Sequence, residues 1–129
     1  MRPRWLVLAL AAGTAFTATA QDRMERLAQD SGCTLCHAAW HVDGGVPPRA
    51  PAWTDIARRY SGQPGAQDAL VKSVMSGVAP GKDHWQGKIS GAPMPPNGVE
   101  VREPDARALV RWILQQSTAA RRAERPPRR

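Results

Sequence analysis

Residues 31–40 read Ser-Gly-Cys-Thr-Leu-Cys-His-Ala-Ala-Trp and hold both cysteines of the chain, Cys33 and Cys36, with His37 directly behind the second. On a helical turn, residues three and four apart share a face, so two sulfurs and a ring nitrogen can be presented toward one object. That object needs two thiol-reactive points and a metal. Haem supplies both, since its vinyl groups take thioether bonds and its iron takes an imidazole, and C-x-x-C-H is read as a c-type haem attachment site for this reason. One haem c, covalent through Cys33 and Cys36 with His37 on the iron, is the expectation.

Three other readings compete for the same residues. A thioredoxin-like pair wants a strand-helix-strand setting, which the chain lacks. A zinc site needs four ligands, so His41 or His84 would have to join without a second cysteine pair. A plain disulfide across C-x-x-C closes too small a loop to stabilise much, and it leaves His37 without a role.

Upstream, the chain opens with Arg2 and Arg4, an apolar run from Trp5 to Phe16, and small residues ending Ala18-Thr19-Ala20. This is the pattern of a signal peptide over residues 1–20, cleaved before Gln21, and it implies export to the periplasm. The apolar run falls short of the roughly 20 residues a bilayer span needs, so no stable membrane insertion is expected after cleavage. The remainder forms one small domain over 21–120, of a size that commonly recruits a metal, disulfide or cofactor to finish its core. Between Gln21 and Ala120 there are eleven Lys and Arg against ten Asp and Glu, so the net charge of +7 resides largely at the two ends. The Arg- and Pro-rich residues 121–129 have no apolar period and read as a disordered tail. Nucleic acid is not an expected partner, because this basic run has no interleaved aromatics.

Periodicity predicts helices and no strand. The first spans about 22–31, with Asp22 and Glu25 as a capping box and Met24, Leu27 and Ala28 as its stripe. A second is capped by Thr54 and runs through Ile56, Ala57 and Tyr60. The third covers roughly 65–76, with Leu70, Val71, Val74 and Met75 at helical spacing and Gly77 as its stop. The last begins at Glu103-Pro104-Asp105 and carries Ala106, Leu109, Val110, Ile113 and Leu114 on one side. Between them lie two long Gly- and Pro-rich loops, and loops of such length in a small domain need a functional reason.

A six-coordinate iron needs a second ligand. Met24, Met75, Met94, His41, His84 and the lysines are candidates, but Met24 and Met75 fall on helical stripes where core packing is the better assignment. Met94 stands in Gly91-Ala92-Pro93-Met94-Pro95-Pro96-Asn97, where prolines on both sides exclude helix and stiffen the backbone. An ordinary proline-rich surface turn would look the same in isolation.

Taken together, the haem motif, Met-Pro-Pro-Asn after a tryptophan-bearing loop, and a terminal helix of Ala-x-x-Leu-x-x-Trp-Ile-Leu type resemble the small bacterial class I monohaem cytochromes c. The likeness covers nearly all of residues 22–116. It implies an all-α cytochrome c fold, about four helices wrapped around one haem with the first and last crossing, and His37 and Met94 as axial ligands. It also implies that the Pro51 carbonyl bonds His37, that Asn97 bonds the Met94 sulfur, that Trp85 meets a haem propionate, and that Trp112 packs the terminal helix. Two departures stand out: the stretches His37–Pro51 and Trp85–Met94 are several residues longer than in the short members. His84, next to Trp85, is a rival to Met94.

The implied function is periplasmic single-electron transfer between redox protein partners, by a carrier and not an enzyme. One alternative is the haem subunit of a periplasmic oxidoreductase, such as a dehydrogenase acting on a small inorganic anion, with Trp40 and His41 at an interface; the chain would then work in a heteromer and not as a monomer. Another is a haem sensor or peroxidase-like site in which Met94 is displaced.

Overall fold

The computed structural model describes residues 19–40, 44–82, 84–98 and 100–123. The signal peptide expected over the first twenty residues therefore lies almost wholly outside the described residues, as do His41 and the end of the tail, 124–129. Four helices follow in order, α1 (Ala20–Asp30), α2 (Trp53–Tyr60), α3 (Ala66–Ser76) and α4 (Glu103–Ala123), with a 3-10 turn at Cys33–Leu35. No strand occurs among the described residues.

α4 is the scaffold, packing against each of the other three helices. Its apolar positions recur at i, i+3, i+4 and i+7, and Ala106, Leu109, Val110 and Trp112 are buried. They join Ala28 of α1, Trp53 and Ile56 of α2, Val71 of α3 and Val101 in one core. Burying a side chain of the size of Leu109 contributes about 1.5–3 kcal/mol, which outweighs any single surface ion pair. The rings of Trp53 and Trp112 meet edge-on, centroids 4.8 Å apart at 69°, the arrangement favoured by aromatic quadrupoles. Trp112 also donates its indole N–H to Gln21 Oε1 at 2.7 Å, which ties α1 to α4.

Two helix starts differ from the sequence-based expectation. α1 begins at Ala20, and its capping box lies three residues earlier than Asp22 with Glu25: the Thr19 hydroxyl accepts from the Asp22 N–H, and Asp22 accepts from the Thr19 N–H at 2.9 Å. In α2, Thr54 does not cap; it is buried inside the first turn, and the N-cap Ala52 offers no side-chain acceptor. The free donors of that turn are met instead by backbone, Trp53 N–H to Ala38 O at 2.9 Å and Thr54 N–H to Ala39 O at 3.3 Å. Helix-start amides must find acceptors, and here the segment just past His37 supplies them. α3 ends at Gly77 as the sequence indicates, and α4 continues to Ala123, into the stretch read as tail.

Candidate functional site

The C-x-x-C-H segment leaves α1 through Gly32, whose φ of 72° permits the sharp exit. Leu35 N–H then bonds Gly32 O at 3.2 Å and His37 N–H bonds Cys33 O at 3.0 Å, closing a turn around the two thiols. Cys33 and Cys36 are both free of a disulfide. Burial pushes the Cys33 thiol up, the opposite of the lowered value a reactive redox thiolate needs. Docking of Ala38 and Ala39 on the start of α2 holds the chain immediately after His37.

The imidazole donates from Nδ1 to the Pro51 carbonyl at 2.8 Å, the bond that the resemblance implied. With Nδ1 carrying the proton, Nε2 is the nitrogen left with a lone pair to give to a metal. Burial holds His37 below the ordinary imidazole value, with the Pro51 carbonyl opposing. Burial thus favours the neutral form, and the bond to Pro51 selects the tautomer that a ligand must have.

Met94 is fastened to the end of α3. The last carbonyls of that helix have no partner within it. Asn97 N–H caps Val74 O at 3.0 Å and Gly98 N–H caps Met75 O at 3.2 Å, while Val78 N–H returns a bond to Met94 O at 2.9 Å. Gly77 makes the approach possible, since its φ is 73° and a Cβ there would lie 2.8 Å from Pro96 N and 2.9 Å from Met94 O. Asn97 stands beside the same junction. Its Nδ2 donates to Pro95 O in the loop at 2.8 Å and reaches Val74 O of α3 at 3.4 Å.

Cys33, Cys36, His37 and Met94 line one cavity of about 400 Å³. Its walls are largely apolar, with Ile56, Leu70, Val78 and Ile89 among them, and Trp85, Pro51 and Asn97 also border it. The size falls within the roughly 300–1,000 Å³ of small-molecule and cofactor sites. Two free thiols, an imidazole with one nitrogen unengaged and a thioether around an apolar hollow form a donor set that fits a covalently held iron porphyrin. The zinc alternative fares worse: among the described residues no cluster of three or more His, Cys, Asp or Glu is able to hold a bare metal ion. His84 borders the same cavity, its ring edge-on to Tyr60 with centroids 6.2 Å apart.

The family model for cytochrome c matches residues 22–117. The chain belongs to the cytochrome c family. This cytochrome c is 46% identical over 88 residues to cytochrome c-551 of Allochromatium vinosum, covering 68% of this chain and 80% of that one. It is 35% identical over 118 residues to cytochrome c-551 of Pseudomonas aeruginosa, covering 90% and 99% of the two chains. Among solved structures, wild-type Nitrosomonas europaea cytochrome c552 superposes with a TM-score of 0.54 at 32% identity, over 71% of this chain and 98% of that one. The all-α class I fold, one covalent haem c and an electron-carrying, non-enzymatic role follow for this cytochrome.

Sequence reasoning marked Gly77 only as the stop of α3, and did not single out Ser90, Gly91 or the Ala38 and Ala39 carbonyls, whose decisive partners are atoms distant along the chain that no residue type announces.

Proposed function

We propose that this cytochrome c is a periplasmic carrier of single electrons in which His37 and Met94 are the two protein ligands of the iron. The observation that supports this reading is the convergence of Cys33, Cys36, His37 and Met94 on one apolar cavity. When bound, the haem supplies reversible one-electron chemistry between ferric and ferrous iron. Cys33 and Cys36 hold it by thioethers, and the Pro51 carbonyl orients His37. Pro93 and Pro95 stiffen the backbone on either side of Met94. Were His37 and Met94 both to hold the iron, no place on it would be left for a substrate, in keeping with a carrier. A thioether in place of a second imidazole raises the reduction potential, and apolar walls act in the same direction by disfavouring the extra charge of the oxidised centre.

Among the described residues no helix is long and apolar enough to cross a membrane. Leu35, between the two cysteines, is 77% exposed, and Trp40, three residues past His37, is 66% exposed. Such residues suit a small, transient redox interface. The arginines of 121–129 would speed encounter with an acidic partner, an effect that added salt suppresses. The same exposed side chains would serve the second reading, a stably bound haem subunit of an oxidoreductase. Affinity capture from the periplasm separates the two: a stoichiometric dehydrogenase indicates the subunit, a lone monomer the carrier.

The ligand assignment is tested with Met94→Ala and His84→Ala in purified haem-loaded protein. Met94→Ala is expected to abolish the sulfur-to-iron absorption band, to admit carbon monoxide to the reduced protein, and to lower the midpoint by more than about 59 mV, a tenfold shift for one electron. His84→Ala should keep the band. The reverse pattern would assign His84 to the iron, and carbon monoxide binding to the unaltered protein would indicate a sensor or peroxidase-like site.

A further inference from the structure

The two long Gly- and Pro-rich stretches, His37–Pro51 and Trp85–Met94, meet each other. Ser90 N–H donates to Pro48 O at 2.8 Å, and the Ser90 hydroxyl donates to Pro47 O at 2.9 Å, 43 residues away in sequence. That hydroxyl also stands 3.3 Å from Pro48 O. Next to it, Gly91 lies so close to the Arg49 carbonyl that a Cβ would overlap the oxygen and stand 2.9 Å from the carbonyl carbon. The chemistry of this seam is one-sided. Pro47 and Pro48 have no N–H and offer only acceptors, so Ser90 supplies both donors, and only a residue without a side chain lets the backbones close at position 91.

The seam lies at the border of the haem cavity, since Arg49 and Pro51 on one side and Ile89, Gly91 and Met94 on the other all line it. Pro51 is the hydrogen-bond partner of His37, and Met94 is three residues beyond Gly91. One short run of contacts thereby ties the loop that orients one axial ligand to the loop that bears the other.

We propose that Ser90 and Gly91 are positioning residues: their seam with Pro47, Pro48 and Arg49 holds the Met94 loop shut against the Pro51 loop, keeping the thioether in place and water away from the cavity rim. The two long loops are then one device, each useless for this purpose without the other. The inference rests on His37 and Met94 being the iron ligands.

The test uses the haem-loaded protein and its Ser90→Ala, Ser90→Thr and Gly91→Ala variants. Ser90→Ala keeps the backbone bond to Pro48 and removes only the hydroxyl, so it retains the fold. Free imidazole is the probe, because it competes with Met94 for iron only when the loop opens. Titration followed by loss of the sulfur-to-iron band should show imidazole binding about tenfold tighter in Ser90→Ala and tighter still in Gly91→Ala. The midpoint should fall by about 30 mV in Ser90→Ala, a threefold shift toward the oxidised form at ~59 mV per tenfold. Ser90→Thr should restore both. Ser90→Ala with unchanged imidazole affinity and midpoint, even if melting earlier, would overturn the seam as a positioning device while leaving the ligand pair intact. A wild-type protein with no sulfur-to-iron band would overturn the ligand pair itself, and the seam proposal with it.

Discussion

His37 shows how a single residue is prepared for its role before any metal arrives. Its Nδ1–H is committed to the Pro51 carbonyl at 2.8 Å, and burial lowers its proton affinity below the ordinary value of 6.5. A depressed folded-state value means that the unfolded chain binds the proton more readily, so stability should be fully present above about pH 6.5 and fall as the pH drops below it. Iron on Nε2 adds to the same trend. Denaturant midpoints at pH 7 and pH 5 check this, with a lower midpoint at pH 5 expected even when ionic strength is held fixed. The residues of the site were legible to different degrees, for reasons that differ in kind. Cys33, Cys36 and His37 announce themselves because covalent attachment demands that spacing. Pro51 was reachable only by likeness to a family. Asn97 was likewise reachable only by likeness, because the carbonyls of Pro95 and Val74 that its amide meets carry no side-chain signature.

At the level of elements, helix interiors were readable from apolar period, whereas helix ends were readable only where the signal is local. Gly77 stops α3 and was visible as a glycine after a periodic run. The start of α2 was not, because its acceptors are the main-chain oxygens of Ala38 and Ala39 and carry no side-chain signature. Thr19 was passed over as the cap of α1 because it sits in the segment read as a cleavable leader. The junction between α3 and the Met94 loop gives a prediction of its own. Gly77→Ala imposes a left-handed backbone on a residue with a Cβ and drives that Cβ into Pro96 and Met94 backbone atoms. It should cost about 1–3 kcal/mol, measured by denaturant unfolding, and should weaken the sulfur-to-iron band more than a mutation of equal cost elsewhere.

For the whole molecule, α4 is the element on which α1, α2 and α3 assemble, and its Trp112 meets both α2, through Trp53, and α1, through Gln21. Trp112→Ala should destabilise by about 3–5 kcal/mol, while Trp112→Phe, which keeps a ring against Trp53 but loses the bond to Gln21, should cost about 1 kcal/mol. Calorimetric or denaturant unfolding of the haem-loaded variants measures both, and the midpoint potential of Trp112→Phe should match that of the parent. The all-α architecture was apparent from the absence of any alternating segment. The pairing of the two long loops was not, because a serine facing two proline carbonyls some forty residues away leaves no periodic trace.

Among the described residues, none that lines the cavity comes from α4; they run from Gly32 to Asn97. α4 can therefore carry durability without touching the site that sets the voltage. A lineage can toughen the terminal rod for heat or acid without retuning the current it carries, and can retune the current through its two long loops without rebuilding the rod.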